Sequence, residues 1–126
     1  MTSRDVDVLL VNCPPDKAAG LARALVEQRL AACVNVLPGV TSIYRWEGKI
    51  QEDAESTLLI KTRRELVADV TNAVRALHPY SVPEVVAIPL ASDRGNAAYL
   101  DWVHAETHAP GEHAGRPRTE GPKADE

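Results

Sequence analysis

The 126-residue sequence has no phenylalanine, one methionine and only two cysteines. Two cysteines are too few for the disulfide framework of a small secreted domain, and Cys13 and Cys33 lack the CxxC spacing of a zinc ribbon. We therefore expect two free thiols in a reducing compartment. Because phenylalanine is absent, the core must be built mainly from Val, Leu and Ala.

Long apolar runs and basic clusters are also missing. No stretch approaches the roughly 20 apolar residues that a helix needs to cross a bilayer, and the acidic start of the chain does not resemble a secretory signal. The net charge is −4, which disfavours nucleic acid as a partner, because counterion release needs a basic surface. The sequence predicts a cytoplasmic protein with no nucleic-acid partner and no membrane partner.

Composition divides the chain near residue 106. The segment 107–126 has three Gly, three Pro and no Val, Leu or Ile. Such a segment buries too little apolar surface to offset the entropy lost on ordering. We expect one folded domain over 1–106 and a disordered polar tail over 107–126.

The apolar pattern predicts six main elements in the order βαββαβ, followed by a short helix. A continuous apolar run over 6–11 indicates a central strand, covered on one face and paired on both edges. A capping box at Thr62–Glu65 predicts the start of the second helix. Pro79 predicts its end at His78, because proline disfavours helical backbone in the residue before it. This order is typical of an α+β, ferredoxin-like fold with an antiparallel sheet.

The central hairpin is the most informative predicted element. Glu47-Gly48 is a plausible two-residue turn, and Pro38-Gly39 suggests a bulge. Each arm of about fourteen residues would be roughly 46 Å long, whereas a compact body of about 100 residues is roughly 34 Å across. The overhanging tip carries Ile43, Tyr44, Trp46 and Ile50. Pairing with another copy of the chain is favoured over the alternative, in which the tip folds back over its own sheet.

Several ordered motifs resemble those of the CutA family. They are Leu30-Ala31-Ala32-Cys33-Val34-Asn35, Ser42-Ile43-Tyr44, Trp46-Glu47-Gly48-Lys49, Ile60-Lys61-Thr62, and His78-Pro79-Tyr80 with Pro83-Glu84. The resemblance covers about residues 6–106. It implies a homotrimer whose fold is akin to the nitrogen-regulatory PII proteins, and a role in tolerance of divalent cations, chiefly copper.

The resemblance also implies two copper ligands, a cysteine near the end of the first strand and the histidine of the His-Pro-Tyr motif. Here these are Cys13 and His78. Thiolate suits Cu(I) and imidazole suits Cu(II), and no organic cofactor is expected. Plain structural roles remain open for both residues: Cys13 as a small residue beside two prolines, and His78 as a helix-end residue near the last carbonyls.

The alternative function is a PII-like signalling module that binds a small anionic effector in a cleft between subunits. The cleft candidates are Trp46, Lys61, Tyr80 and Glu84. A histidine and a carboxylate near such a cleft could perform acid–base chemistry. However, the sequence lacks a nucleophile elbow, a P-loop, an HExxH motif and a Rossmann glycine pattern, so no catalytic residue is predicted.

Overall fold

The computed structural model describes residues 3–109 and places them in one four-stranded antiparallel sheet with three helices. The strands are β1 (Val6–Cys13), β2 (Cys33–Trp46), β3 (Lys49–Arg63) and β4 (Val86–Pro89). The helices are α1 (Pro15–Glu27), α2 (Val67–Leu77) and α3 (Ala97–Glu106). The strand order in the sheet is β2-β3-β1-β4. Together with the chain order, it confirms the predicted ferredoxin-like α+β fold.

One face of the sheet packs against α1 and α2 and forms the main core. Successive strand residues point to opposite faces, so alternate positions of β1 and β3 reach the helices. The fully buried side chains of this core are aliphatic, as the composition predicts: Leu9, Val11, Leu25, Leu30, Leu58, Ile60, Leu66, Val70 and Val74. Because β1 lies between β3 and β4, the expectation of a central first strand is confirmed.

The opposite face of the sheet is only partly covered within the described residues. At one end, Leu100 and Val103 of α3 pack on Val6. Further along, Val86 and Ile88 of β4 are 47% and 46% exposed. We call this uncovered, partly apolar surface the open face. No helix in the described part of the chain is both long enough and apolar enough to cross a membrane.

The hairpin of β2 and β3 pairs along its whole length, from Cys33 with Lys61 to Trp46 with Lys49. The predicted bulge at Pro38-Gly39 is confirmed, because the pairing shifts by one residue between Leu37 and Val40. The turn at Glu47-Gly48 is also confirmed, with positive φ values of 51° and 80° that are typical of a type I′ turn. At the tip, the side chains of Ile43, Trp46 and Ile50 are 67%, 48% and 62% exposed, so they do not fold back over their own sheet.

The predicted capping box at Thr62–Glu65 is wrong. β3 continues through Arg63, and the buried Thr62 hydroxyl donates to the carbonyl oxygen of Leu30 at 2.7 Å instead of capping a helix. A short 3₁₀ turn over Arg64–Leu66 follows, and α2 begins at Val67. The other end is confirmed, because His78 has extended backbone angles of −79° and 140° directly after α2.

The predicted tail lies largely outside the described residues. Its first residues do not: Thr107 and His108 are 5% and 6% exposed. Arg63 donates to both the hydroxyl and the carbonyl oxygen of Thr107 at 3.0 Å, and the backbone N–H of His108 donates to the carbonyl of Arg29 at 2.9 Å. The packed body therefore extends to His108, two residues beyond the predicted boundary.

Candidate functional site

The imidazole of His78 lies against the end of β1. It contacts the backbone of Asn12, the residue before Cys13. Nε2 of His78 lies 2.8 Å from the carbonyl oxygen of Asn12, and Nδ1 accepts the backbone N–H of Tyr80 at 3.1 Å. Because a carbonyl oxygen can only accept and a backbone N–H can only donate, these two contacts fit the tautomer with its proton on Nε2. Both ring nitrogens of this predicted copper ligand are therefore hydrogen-bonded within the chain.

Cys13, the other predicted copper ligand, is fully buried. Burial raises the pKa of its thiol, and the negative charges of Glu55 and Asp16 raise it further. The thiolate is the form that binds metal, so the thiol must first lose a proton at additional cost. Over residues 3–109, no group of three or more His, Cys, Asp or Glu side chains is arranged to hold a metal ion. His78 thus contacts the residue before Cys13, and the two predicted ligands do not form a ready-made metal site.

A groove of about 840 Å³ lies on the open face, between the hairpin and the segment that follows α2. Three carboxylates line it, those of Asp53, Glu55 and Glu84, and three aromatic rings, those of Tyr44, Trp46 and Tyr80. Trp46, Tyr80 and Glu84 were predicted as cleft residues. The structure brings these three together in one groove.

Lys61, the fourth predicted cleft residue, lies elsewhere on the open face. Its Nζ is 3.8 Å from Sγ of Cys33 and donates to the side-chain oxygen of Asn35. Six positions along β3 separate it from Glu55, which corresponds to roughly 20 Å. Lys61 is therefore not part of the groove within one chain.

Each carboxylate of the groove accepts a hydrogen bond from a neutral donor. The hydroxyl of Tyr80 donates to Oε2 of Glu55 at 2.9 Å. The side-chain amide of Asn12 donates to Oε1 of Glu84 at 2.8 Å, and the hydroxyl of Tyr44 donates to Oδ2 of Asp53. No Lys, Arg or His is among the described residues that line the groove, so its negative charge is not balanced there.

The His-Pro-Tyr motif positions Tyr80 over this groove. The rings of His78 and Tyr80 are 4.6 Å apart between centroids, and the imidazole also accepts the Tyr80 backbone N–H. Burial, followed by the hydrogen bond to Glu55, raises the pKa of Tyr80 to about 12. Tyr80 is therefore a neutral phenol at physiological pH and a stable donor to Glu55.

Asn12, Tyr44, Asp53 and Glu55 were not predicted as site residues. One signal for the last two was available in the sequence. Asp53 and Glu55 stand two positions apart in a predicted strand, which places them on the same face. The backbone pairing then places Tyr44 beside them, since Tyr44 pairs with Gln51 on that face.

Comparisons with known proteins agree with this architecture. The family described as CutA1 divalent ion tolerance protein matches residues 8–106. The divalent-cation tolerance protein CutA of Thermus thermophilus is 51% identical over 102 residues, which are 80% of this chain and 97% of that protein. The mouse protein CutA is 51% identical over 105 residues, which are 82% of this chain and 58% of the longer mouse protein.

Solved structures show the same likeness. The Thermus thermophilus divalent cation tolerance protein Cut A1 aligns with a TM-score of 0.77 at 50% identity, covering 82% of this chain and 99% of that one. The PII-like protein CutA of Nostoc sp. PCC 7120 aligns with a TM-score of 0.78 at 38% identity, covering 81% of this chain and 97% of that one.

Proposed function

Because the chain belongs to the CutA1 divalent ion tolerance protein family, we propose that it acts in the tolerance of divalent cations as a cytoplasmic homotrimer that catalyses no reaction. The observation that carries this proposal is the extent of the family match, which runs from β1 to the end of α3. The cytoplasmic location is supported by Cys13 and Cys33, which are both free thiols, as expected in a reducing compartment.

Two exposed apolar surfaces support the homotrimer. The hairpin tip exposes Ile43 and Ile50, and an unpartnered apolar ribbon of this kind favours pairing with another chain. The open face exposes Val86 and Ile88, and contiguous exposed apolar surface is typical of protein interfaces. The strand pairing places Ile43 and Ile50 on the opposite face of the sheet from Val86 and Ile88, so the chain has apolar surface for contacts on both sides.

Copper is the cation that we propose for this chain, with Cys13 and His78 as ligands. A thiolate and an imidazole are a suitable donor pair for copper. In the structure, both ring nitrogens of His78 are hydrogen-bonded and the thiol is buried. Binding therefore requires the ring to leave either Asn12 or Tyr80, and we expect modest affinity that falls as pH falls, because protons compete for both ligands.

Growth in elevated copper tests the tolerance function. Cells that lack this protein should grow more slowly at high Cu(II) than cells that carry it, and returning the gene should restore growth. The same comparison with Zn(II) and Ni(II) tests whether copper is preferred. Equal growth of the two strains at every metal concentration would contradict the proposed function.

Calorimetric titration with Cu(II) tests the proposed ligands. His78→Ala should weaken binding about tenfold or more, since one of two protein ligands is lost. Cys33→Ser is the matched control, because Cys33 lies at the other end of the sheet, and it should bind as the parent does. The parent chain should also be compared with a chain that ends at Ala109, which lacks His113 of the tail. An unchanged isotherm for His78→Ala would leave the imidazole as a purely structural residue.

The alternative of a PII-like module with an anionic effector is supported by the fold likeness alone. The groove that contains three of the four predicted cleft residues is lined by carboxylates, and Lys61 lies roughly 20 Å away along the strand. Anions are repelled by such a groove unless a neighbouring chain supplies basic side chains. Its own residues favour the opposite sign of charge.

A further inference from the structure

We propose that the groove between the hairpin and the segment after α2 binds a small organic ammonium ion. This proposal goes beyond the tolerance function, and the residues that line the groove do not include Cys13 or His78. The groove combines three carboxylates with three aromatic rings, and the described residues that line it include no basic side chain. The ligand's positive charge is held by the carboxylates, and its carbon groups lie on the rings.

The buried carboxylate of Glu55 points most directly to a missing cation. Glu55 is only 6% exposed, and its one hydrogen bond within residues 3–109 is from the Tyr80 hydroxyl to Oε2. Its Oε1 has no donor among those residues. An ionised carboxylate that is withdrawn from water is costly unless it is paired. Because Glu55 lines the groove, a cation in the groove could pair with its carboxylate.

The size of the groove favours an organic cation over a metal ion as its ligand. About 840 Å³ is within the usual range for small-molecule sites and far exceeds a bare metal ion. A metal ion also needs several ligands drawn tightly around one point, and the described residues contain no such group. Carboxylates spread along a wide groove suit a cation whose charge is distributed over a larger body.

The aromatic side chains supply the second element of recognition. Ammonium groups are attracted to the faces of Trp and Tyr rings, and such aromatic walls are a recurring feature of ammonium recognition. Trp46 is 48% exposed at the hairpin tip, and Tyr44 and Tyr80 are 40% and 39% exposed. In the single chain these ring surfaces are thus accessible, although the hydroxyls of Tyr44 and Tyr80 are hydrogen-bonded to Asp53 and Glu55.

The groove is also held in shape before any ligand arrives. Asn12 is fixed from both sides, since its amide donates to Glu84 and its side-chain oxygen accepts the Thr57 hydroxyl. Tyr80 is fixed by the His78 ring and by Glu55. Binding to a preorganised groove loses less conformational entropy than binding to a mobile one.

Titration of the full chain with three probes tests the proposal. Choline and putrescine carry quaternary and primary ammonium groups, whereas 3,3-dimethylbutan-1-ol has the shape of choline without its charge. At physiological ionic strength, at least one of the ammonium probes should shift the tryptophan fluorescence of Trp46 and Trp102 saturably, and the neutral alcohol should not. Inorganic phosphate serves as the anionic control and should leave the signal unchanged.

Two substitutions that each remove one negative charge test where the ammonium probe binds. Glu55→Gln should weaken binding of the ammonium probe about tenfold, as expected for the loss of one contact to a charged group. Glu52→Gln is the matched control on the same strand, because Glu52 is exposed and lies on the opposite face of the hairpin, and it should bind as the parent does. If Glu55→Gln does not fold, Glu84→Gln replaces it, since Glu84 also lines the groove.

Four results would overturn the proposal. They are no saturable ammonium binding to the parent chain, equal binding of the neutral alcohol, equal weakening by Glu52→Gln, and saturable binding of phosphate instead. A loss of the oligomer in Glu55→Gln, without ammonium binding to the parent, would assign the carboxylate to a basic side chain of a second copy. Copper titration of the same variants keeps the two proposals distinct, because Glu55→Gln should retain copper binding.

Discussion

His78 ends α2 and also fixes the segment that follows it. Its ring bridges the backbone of Asn12 and the backbone of Tyr80, so the end of β1 and the groove are joined by one side chain. The predicted helix-end position is confirmed, but the bridge is not visible in the sequence. The ring's partners are set by the packing of β1 beside this segment, and no local pattern reports which backbone atoms a ring will meet.

Tyr80→Phe should destabilise the fold by about 1–3 kcal/mol, because the change leaves the buried Glu55 carboxylate without its hydrogen-bond donor. Urea unfolding of both proteins at neutral pH gives the difference. The substitution keeps an aromatic ring in contact with His78, so the comparison isolates the hydroxyl. Equal unfolding midpoints would mean that water replaces the hydroxyl at no cost.

The parent and Tyr80→Phe should also differ in how their free energy of unfolding depends on pH. The pKa of Tyr80 is raised from 10.0 to about 12 in the folded chain, so folding favours its neutral form. A raised pKa contributes stability that is fully present below about pH 10 and is lost as pH rises toward about 12. The free energy of unfolding should therefore fall more steeply in this window for the parent than for Tyr80→Phe. Parallel curves for the two proteins would contradict the assignment.

At the scale of elements, the sequence was most informative where Gly and Pro constrain the backbone. The bulge at Pro38-Gly39 and the turn at Glu47-Gly48 are both confirmed, and in each the glycine adopts a positive φ that few other residues tolerate. The capping box failed for the opposite reason. Thr62 pairs with Asp7 and is buried, so the strand register overrode a helix-start signal that depends only on four neighbouring residues.

The groove could not be read from any single element. Asn12 and Glu84 are 72 residues apart, and Glu55 and Tyr80 are 25 apart, so three separate parts of the chain contribute to it. Sequence reasoning found Trp46, Tyr80 and Glu84 through the family motifs. It missed Glu55, whose burial depends on the segment after α2 crossing the open face.

Gly48→Ala should destabilise the hairpin by about 1 kcal/mol, because L side chains are disfavoured at positive φ. An added Cβ at Gly48 meets no atom within 4 Å, so the effect is backbone strain without a steric clash. Glu47→Asn is the control and should stabilise the hairpin, since Asn tolerates the φ of 51° at this position better than Glu does. A higher melting temperature for Gly48→Ala than for the parent would contradict the type I′ turn.

At the scale of the whole molecule, several exposed apolar residues share one side of the sheet. Trp46 of the hairpin and Val86 and Ile88 of β4 belong to the open face, according to the strand pairing. The groove lies on the same side of the sheet. Assembly through this side would bury the apolar surface and place the groove next to a neighbouring chain, so association and ligand binding are expected to affect each other.

The melting temperature of a homotrimer should rise with protein concentration, because assembly stabilises only the folded state. Trp46→Ala should lower it by several degrees if the tip packs against another copy. Val26→Ala is the matched control, because Val26 is 40% exposed on α1, away from the hairpin and the open face. A melting temperature that does not depend on concentration would contradict the trimer.

Ile88→Lys should break the assembly, because a lysine at the centre of an apolar interface buries a charge without a partner. Ile88 is 46% exposed in the single chain, so the substitution itself can be accommodated by the monomer. Sedimentation should give three times the chain mass of 13.7 kDa for the parent and a single chain mass for the variant. Val26→Lys introduces the same charge on α1 and should sediment as the parent does. If Ile88→Lys remains a trimer, the open face is not the interface, and the hairpin alone must carry the contacts between copies.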